Sequence, residues 1–340
     1  MRKKSLIASA VLLALPGLAS AENWADRVEF SGVVEVETTF GEDSSTDNSD
    51  TTTATVELGF DAELNDRVSA HVLLLHEEDD TPLELDEGTI TLNLSGDGSF
   101  TFTGGQMYVP FGNFESHMIS DPLTLELGET RQSVMQLGFE AGSVYGSMYL
   151  YNGDVIEADA DGDDTIENFG ANIGFVMESD AFTLDAGISY ISNIADSGGF
   201  MDNLPTDANG DLLPVESYVS GIGVHAIVGV GSFTGILEYV AADEFEEIQF
   251  DSDNASPSAM NVEVGFAIND DSAIAIGYQM TKEAAAMELV ENKVLVSYSM
   301  GLFDAASFAV EFSQGDYYST DDGGTGEDMS AITFQIATEL

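Results

Sequence analysis

Two groups of side chains in this sequence are typed and spaced for chemistry. The first lies in the run Gly-Gln-Met-Tyr-Val-Pro-Phe-Gly-Asn-Phe-Glu-Ser-His-Met-Ile-Ser-Asp-Pro-Leu-Thr-Leu-Glu-Leu-Gly-Glu-Thr-Arg, residues 105–131, which gathers Gln106, Tyr108, Phe111, Phe114, Glu115, His117, Asp121 and Arg131. Apolar and aromatic groups dominate here, whereas other connecting segments are rich in Asp, so the run is expected to fold inward and leave water. Phe111, Phe114 and His117 would then lie against a wall, with Glu115 or Asp121 at an opening. The alternative is a segment packed outside, against a partner subunit. The second group is a set of carboxylates, Glu35, Glu57, Asp61, Asp185, Glu238, Glu263, Glu291 and Glu311, with Arg131 and Lys293 as the basic residues that could share their passage and His71 and His225 also on the polar face. Carboxylates around a wet passage select cations. A water-filled interior also tolerates any polar side chain, and an acidic surface suits a salty medium.

Two further segments have the oxygen-rich composition that a hard cation such as Ca2+ takes: Asp159, Asp161 and Asp163 around Gly162, and Asp207, Asn209 and Asp211 around Gly210. Neither completes a helix-loop-helix pattern, and Asp-rich loops arise by chance in so acidic a chain. The four histidines, His71, His76, His117 and His225, lie outside any nucleophile motif such as Gly-x-Ser-x-Gly, so no catalysis is expected. Eight Lys and Arg stand against 62 Asp and Glu, for a formal net charge of −54. Such a chain cannot neutralise phosphates, which argues against nucleic acid as a partner. With no cysteine, a disulfide scaffold is excluded.

The elements that must position these groups are read from periodicity. Arg2, Lys3 and Lys4, an apolar run from Leu6 to Leu15, and Ala19-Ser20-Ala21 have the layout of a cleaved secretory signal over residues 1–21. Residues 22–340 form the folded part. There, alternation with period two predominates. Val28, Phe30, Val34, Val36 and Phe40 share one parity, and Glu29, Ser31, Glu35, Glu37 and Thr39 the other. Ala54, Val56, Leu58, Phe60, Ala62 and Leu64 alternate in turn with Thr55, Glu57, Asp61 and Glu63. Continued along the chain, the pattern predicts 16 strands. The fourth falls near residues 88–94, the tenth near 216–228 and the last over 328–340.

Short turns with reversal-prone residues, such as Asn65-Asp66, Ala141-Gly142 and Asn269 to Asp271, alternate with long acidic connections. The expected architecture is an all-β, 16-stranded antiparallel transmembrane β-barrel with short periplasmic turns, long extracellular loops and an inward third loop. Closure is required because lipid cannot satisfy an unpaired strand edge. Phe40, Phe60, Tyr190, Tyr239 and Tyr298 fall toward the rims of apolar faces, where interfacial aromatics belong. A plugged, energised receptor needs about 22 strands and an internal domain, more than this length provides. The expected partners are outer-membrane lipid, a small solute passing down its gradient, and a second copy of the chain in a homo-oligomer.

Residues 105–131, together with the Tyr151-Asn152-Gly153 strand end, resemble the LbtU-type siderophore porins, and the likeness in length and strand number extends over essentially the whole chain. The resemblance implies a plugless barrel through which an iron–siderophore complex crosses the outer membrane. A general cation-biased diffusion porin would share this architecture. So would a blocked barrel that anchors acidic calcium-binding or partner-binding loops.

Overall fold

The computed structural model describes residues 27–43, 46–78, 81–157, 165–179, 181–206, 208, 210, 212–245, 254–303 and 305–340. The expected secretory signal, residues 1–21, and the calcium candidates Asp159, Asp161, Asp163, Asp207, Asn209 and Asp211 lie outside the described residues. Sixteen strands follow one another: β1 (Val28–Asp43), β2 (Thr46–Asn65), β3 (Val68–His76), β4 (Glu84–Asn93), β5 (Phe100–Tyr108), β6 (Arg131–Ala141), β7 (Val144–Tyr151) and β8 (Asn168–Glu178). The second half comprises β9 (Thr183–Ile191), β10 (Gly221–Val230), β11 (Phe233–Ala242), β12 (Ser258–Asn269), β13 (Ser272–Lys282), β14 (Val290–Leu302), β15 (Ala306–Tyr317) and β16 (Asp328–Glu339). Each pairs antiparallel with its sequence neighbours. The cylinder closes where β1 pairs with β16, from Val33 opposite Glu339 to Asp43 opposite Met329.

Alternation sorts the two faces. Ile90, Met148, Ile173, Ile188, Leu237, Ile276, Phe312 and Ile336 project outward as an exposed apolar belt. Phe40, Tyr190 and Tyr239 stand on that same outer face. Cross-strand aromatic pairs reinforce it, with the Phe30 and Phe60 rings 5.2 Å apart and those of Phe233 and Phe266 4.8 Å apart. Among the described residues no helix is long and apolar enough to cross a membrane. A closed cylinder with a lipid-facing belt crosses by its strands instead.

Strand boundaries follow the alternation with three instructive departures. β1 and β2 run on to Asp43 and Thr46, past the expected limits of 40 and 54. Above the bilayer a hairpin is wet on both sides, so the Ser/Thr/Asp stretch need not alternate. β4 starts four residues earlier than expected, at Glu84, because Asp86 is an extra residue, bulged between Leu85 opposite Leu74 and Glu87 opposite Leu73, that breaks the period. β10 starts at Gly221 rather than 216, because residues before it belong to a packed loop.

The core lies at the long-loop end, inside the mouth of the barrel. Numbering the long connections from the β1–β2 hairpin, loop 3 carries a helix, α1 (Leu123–Gly128), and loop 5 carries a single turn, α2 (Gly198–Met201). Phe111 and Leu127 of loop 3, Val155 of loop 4, Ile194 and Phe200 of loop 5, Phe245 of loop 6, Met287 of loop 7 and Tyr318 of loop 8 are all buried in one cluster. The Phe200 and Phe245 rings stack at 4.8 Å. Burying this apolar surface from water supplies the cap's cohesion, at roughly 25 cal/mol per Å².

Candidate functional site

The site is built around loop 3, residues 109–130, which leaves β5, crosses the interior and returns to β6. Its neck is closed by the Val109 N–H donating to the Thr130 carbonyl at 2.9 Å. From there the loop runs along the inner wall of β9 and β11–β15, and wall side chains hold its backbone. Gly112 N–H donates to Ser189 Oγ at 3.0 Å. Asn113 and Phe114 N–H groups donate to Glu238 at 2.6 and 3.0 Å, and Thr124 Oγ1 adds a bond at 2.8 Å. Glu263 accepts from His117 N–H at 2.6 Å and Ser116 Oγ at 2.8 Å. Glu311 accepts from Ile119 N–H, Ser120 N–H and Ser120 Oγ. Further along, Leu123 N–H reaches Gln279 Oε1 at 3.2 Å, and Ser297 Oγ donates to the His117 carbonyl at 2.9 Å.

This ladder explains how three carboxylates are tolerated out of water. Glu238 and Glu263 are 1% exposed and Glu311 2%. Each receives several N–H or O–H donors, which substitute for hydration. Phe114 adopts φ 59, a left-handed conformation that costs a side-chain-bearing residue about 1–2 kcal/mol and is held here by its bond to Glu238. The inward course of the loop matches its composition, and the alternative of packing outside against a partner subunit is overturned, because its donors are spent on its own barrel.

The consequence for the carboxylate wall is a correction. Glu238 and Glu263 were expected to line a wet passage. They project inward but lie beneath loop 3 as its anchors. Lys293 is likewise buried under the loop, facing Glu311, Glu126 and Glu263. The uncovered wall is that of β16 and β1–β5. There Asp61 has a side chain 42% exposed, and His71 sits between Asp61 at 2.8 Å and Glu87 at 3.3 Å. Glu57 has Asp86, Glu35, Glu77 and Glu87 as like-charged neighbours, Glu35 itself being mostly buried. Asp185 and His225 belong to another part of the wall, where Tyr145 Oη donates to Asp185 at 2.9 Å and His225 Nε2 stands 3.6 Å from Asp185.

Within loop 3, Phe111 is buried in the mouth core, as expected of an aromatic against the wall. Burial pushes the His117 imidazole below its ordinary value, and it packs against Gly265. Burial, helped by Asp185, Glu263 and Glu238, raises the Glu115 carboxyl. Asp121 is partly buried on the stretch between the Glu311 anchor and α1.

Gln106, Tyr108 and Arg131 gather at the long-loop ends of β5 and β6. The register places Gln106 opposite Gly88 and Ser133, and Tyr108 opposite Arg131, on the face that carries Phe102, Ile90, Met135 and Leu137. That face turns outward in mid-strand, but at the strand ends the cluster is enclosed: Asp86 is 2% exposed, and the Tyr108 N–H donates to Glu87, 1% exposed, at 3.1 Å. There Arg131 bonds Asp86 at 2.5 Å and Glu84 at 2.9 Å, Tyr108 Oη donates to Asp86 at 3.1 Å, and Gln106 Nε2 caps the Asp86 carbonyl at 2.9 Å. Mutual pairing is what makes these enclosed groups tolerable, since a buried charge left without a partner is costly.

No family model matches the chain. A UPF0422 protein of Legionella pneumophila is 26% identical over 325 residues, spanning 84% of this chain and 58% of that one. This chain therefore covers less than two thirds of the length of that curated relative. Among solved structures, the outer membrane channel DcaP of Acinetobacter baumannii superposes with a TM-score of 0.64 at 14% identity, over 92% of this chain and 97% of that one. OprB of Pseudomonas putida gives a TM-score of 0.67 at 8% identity, over 93% and 95%. The fold is that of the outer-membrane porins, and the lipid-facing belt makes the chain an integral outer-membrane protein.

Proposed function

We infer that this protein is a passive porin whose passage runs between loop 3 and the uncovered wall of β16 and β1–β5. Small solutes move down their gradients, and cations are favoured. One observation carries this reading: the two strong bases expected in the passage are neutralised, Lys293 buried beneath the loop and Arg131 paired with Asp86 and Glu84, while Glu57 and Asp61 stand with His71 as the one base among the described residues of the wall facing loop 3. The most specific cargo consistent with the resemblance of residues 105–131 is an iron–siderophore complex. The wall's sign constrains its chemistry, because a chelate of neutral or positive net charge passes a carboxylate-lined wall and a polycarboxylate chelate is repelled.

Planar-bilayer recordings of the purified chain test the channel and its charge preference together. Expected are ohmic conductance and a reversal potential favouring cations at 0.1 M salt. That preference shrinks toward 1 M, where the screening length falls from about 10 Å to about 3 Å. Absence of conductance, or anion preference at low salt, would refute the reading. Growth of a deletion strain on ferric hydroxamate and ferric polycarboxylate chelates tests the cargo separately. Unimpaired growth on both removes the siderophore role and leaves the porin.

A further inference from the structure

Four consecutive residues of loop 5 occupy the junction of three loops. On one side, Asp196 is fully buried and its Oδ1 accepts the N–H groups of Asp154 and Val155 in loop 4, both at 2.8 Å. Its Oδ2 accepts Asn193 Nδ2 at 2.9 Å, and the Asn193 carbonyl in turn accepts Tyr151 Oη at 3.2 Å. Gly153 stands at φ 81 so close to this carboxylate that a Cβ there would lie 2.6 Å from Oδ2. On the other side, Ser197 Oγ donates to the Leu127 carbonyl at 2.9 Å, and Gly198 N–H donates to the Glu129 carbonyl at 3.1 Å. Gly199 presses on the same arm, where a Cβ would collide with the Glu126 carbonyl oxygen. Loop 4 is also tied to β6 directly past the arm, by Gln132 Nε2 donating to Asp154 at 2.8 Å.

We propose that residues 196–199 are a clasp through which loops 4 and 5 hold the returning arm of loop 3, with Asp196 as the positioning residue whose release loosens the constriction. The consequence for permeation rests on the porin reading. The clasp itself does not, since its geometry is independent of what crosses the barrel. Glu238, Glu263 and Glu311 fix the first two thirds of loop 3, whereas the stretch from Leu127 to Glu129 is held by loop 5.

The clasp is also sensitive to protons. The groups facing Asp196 are Asp154 from loop 4, Tyr151 from β7 and Tyr218 from the far end of loop 5, all acids that offer no countercharge. Burial raises the Asp196 carboxyl from 3.8 to about 7, against the pull of its N–H donors. The closed clasp thus binds the proton more tightly than the open one. Closure is favoured in acid, and this advantage is lost as pH rises from about 4 to about 7.

The chain has no cysteine, so a Val155→Cys variant reports clasp opening by its rate of maleimide labelling, with exposed Ala181→Cys as the reference that cancels the pH dependence of the thiol itself. In the full chain, the labelling ratio of Val155→Cys to Ala181→Cys is expected to rise severalfold between pH 5 and 7.5. It should be flat with pH when Asp196→Asn is added, and high throughout with Asp196→Ala. The same pH rise in the Asn background, or no rise in the parent, overturns the proposal. In bilayers, Asp196→Ala is expected to show increased current noise. Unchanged noise despite rapid labelling would overturn the link to loop 3, whereas a parent protein without conductance would sink the porin reading and leave the labelling result standing. If Asp196→Ala fails to fold, the Asn variant alone decides.

Discussion

The two halves of the inner wall use the same residue type for opposite ends. Under loop 3, Glu238, Glu263 and Glu311 are buried and accept loop N–H and O–H groups. Across the lumen, Glu57 and Asp61 belong to a wall that the described anchors of loop 3 leave out, with the Asp61 side chain 42% exposed. A carboxylate with several donors is a fastening, and one facing water is a source of field. The difference lies in what crosses the lumen in front of it, which a residue's parity on its strand does not reveal.

The strongest way to break this comparison is to replace Glu238, Glu263 and Glu311 together by Ala. The N–H groups of Asn113, Phe114, His117, Ile119 and Ser120 then lose their acceptors. Left buried, each costs about 1–3 kcal/mol, a sum comparable with the whole stability of a domain, so the loop leaves the wall instead. Single-channel recordings should show larger and heterogeneous conductance. A uniform, unchanged conductance would mean that the carboxylates are not fastenings.

A milder pair of changes sharpens the comparison. Glu57→Gln with Asp61→Asn should cut cation preference in reversal-potential measurements at 0.1 M salt while moving stability by less than ~1 kcal/mol. Glu238→Gln should do the reverse, leaving selectivity nearly intact and destabilising by ~1–2 kcal/mol, because an amide offers one acceptor where the carboxylate offers two. Equal selectivity losses in both variants would dissolve the distinction between the walls.

The smallest effect is expected at Arg131. Arg131→Ala removes the partner of buried Asp86, so denaturant unfolding should detect a loss of ~1–2 kcal/mol, with conductance and selectivity unchanged. A change in ion selectivity would return Arg131 to the passage.

Much of this was legible in the residues. Period-two alternation located all 16 strands, and the apolar composition of residues 105–131 announced a loop that avoids water. The pairing of Tyr108 and Arg131 with Asp86 was not legible, since Asp86 is an extra residue that interrupts the alternation of β4. What the sequence withholds is which glutamates the loop would cap, because Glu57 and Glu263 have the same pattern of neighbours along their strands. Asp196 is equally silent there, an aspartate among many, distinguished only by the small and apolar Ile-Ala and Ser-Gly-Gly on either side of it.

The cap formed by loops 3 to 8 gives this molecule two solvents to fold in. Its cylinder answers to hydrocarbon and its lid to water, with an aqueous driving force that urea weakens far more readily than it unzips a strand ladder embedded in lipid. Mild denaturant should therefore strip the lid from an intact cylinder, yielding an intermediate that still resists extraction from the bilayer while its mouth stands open.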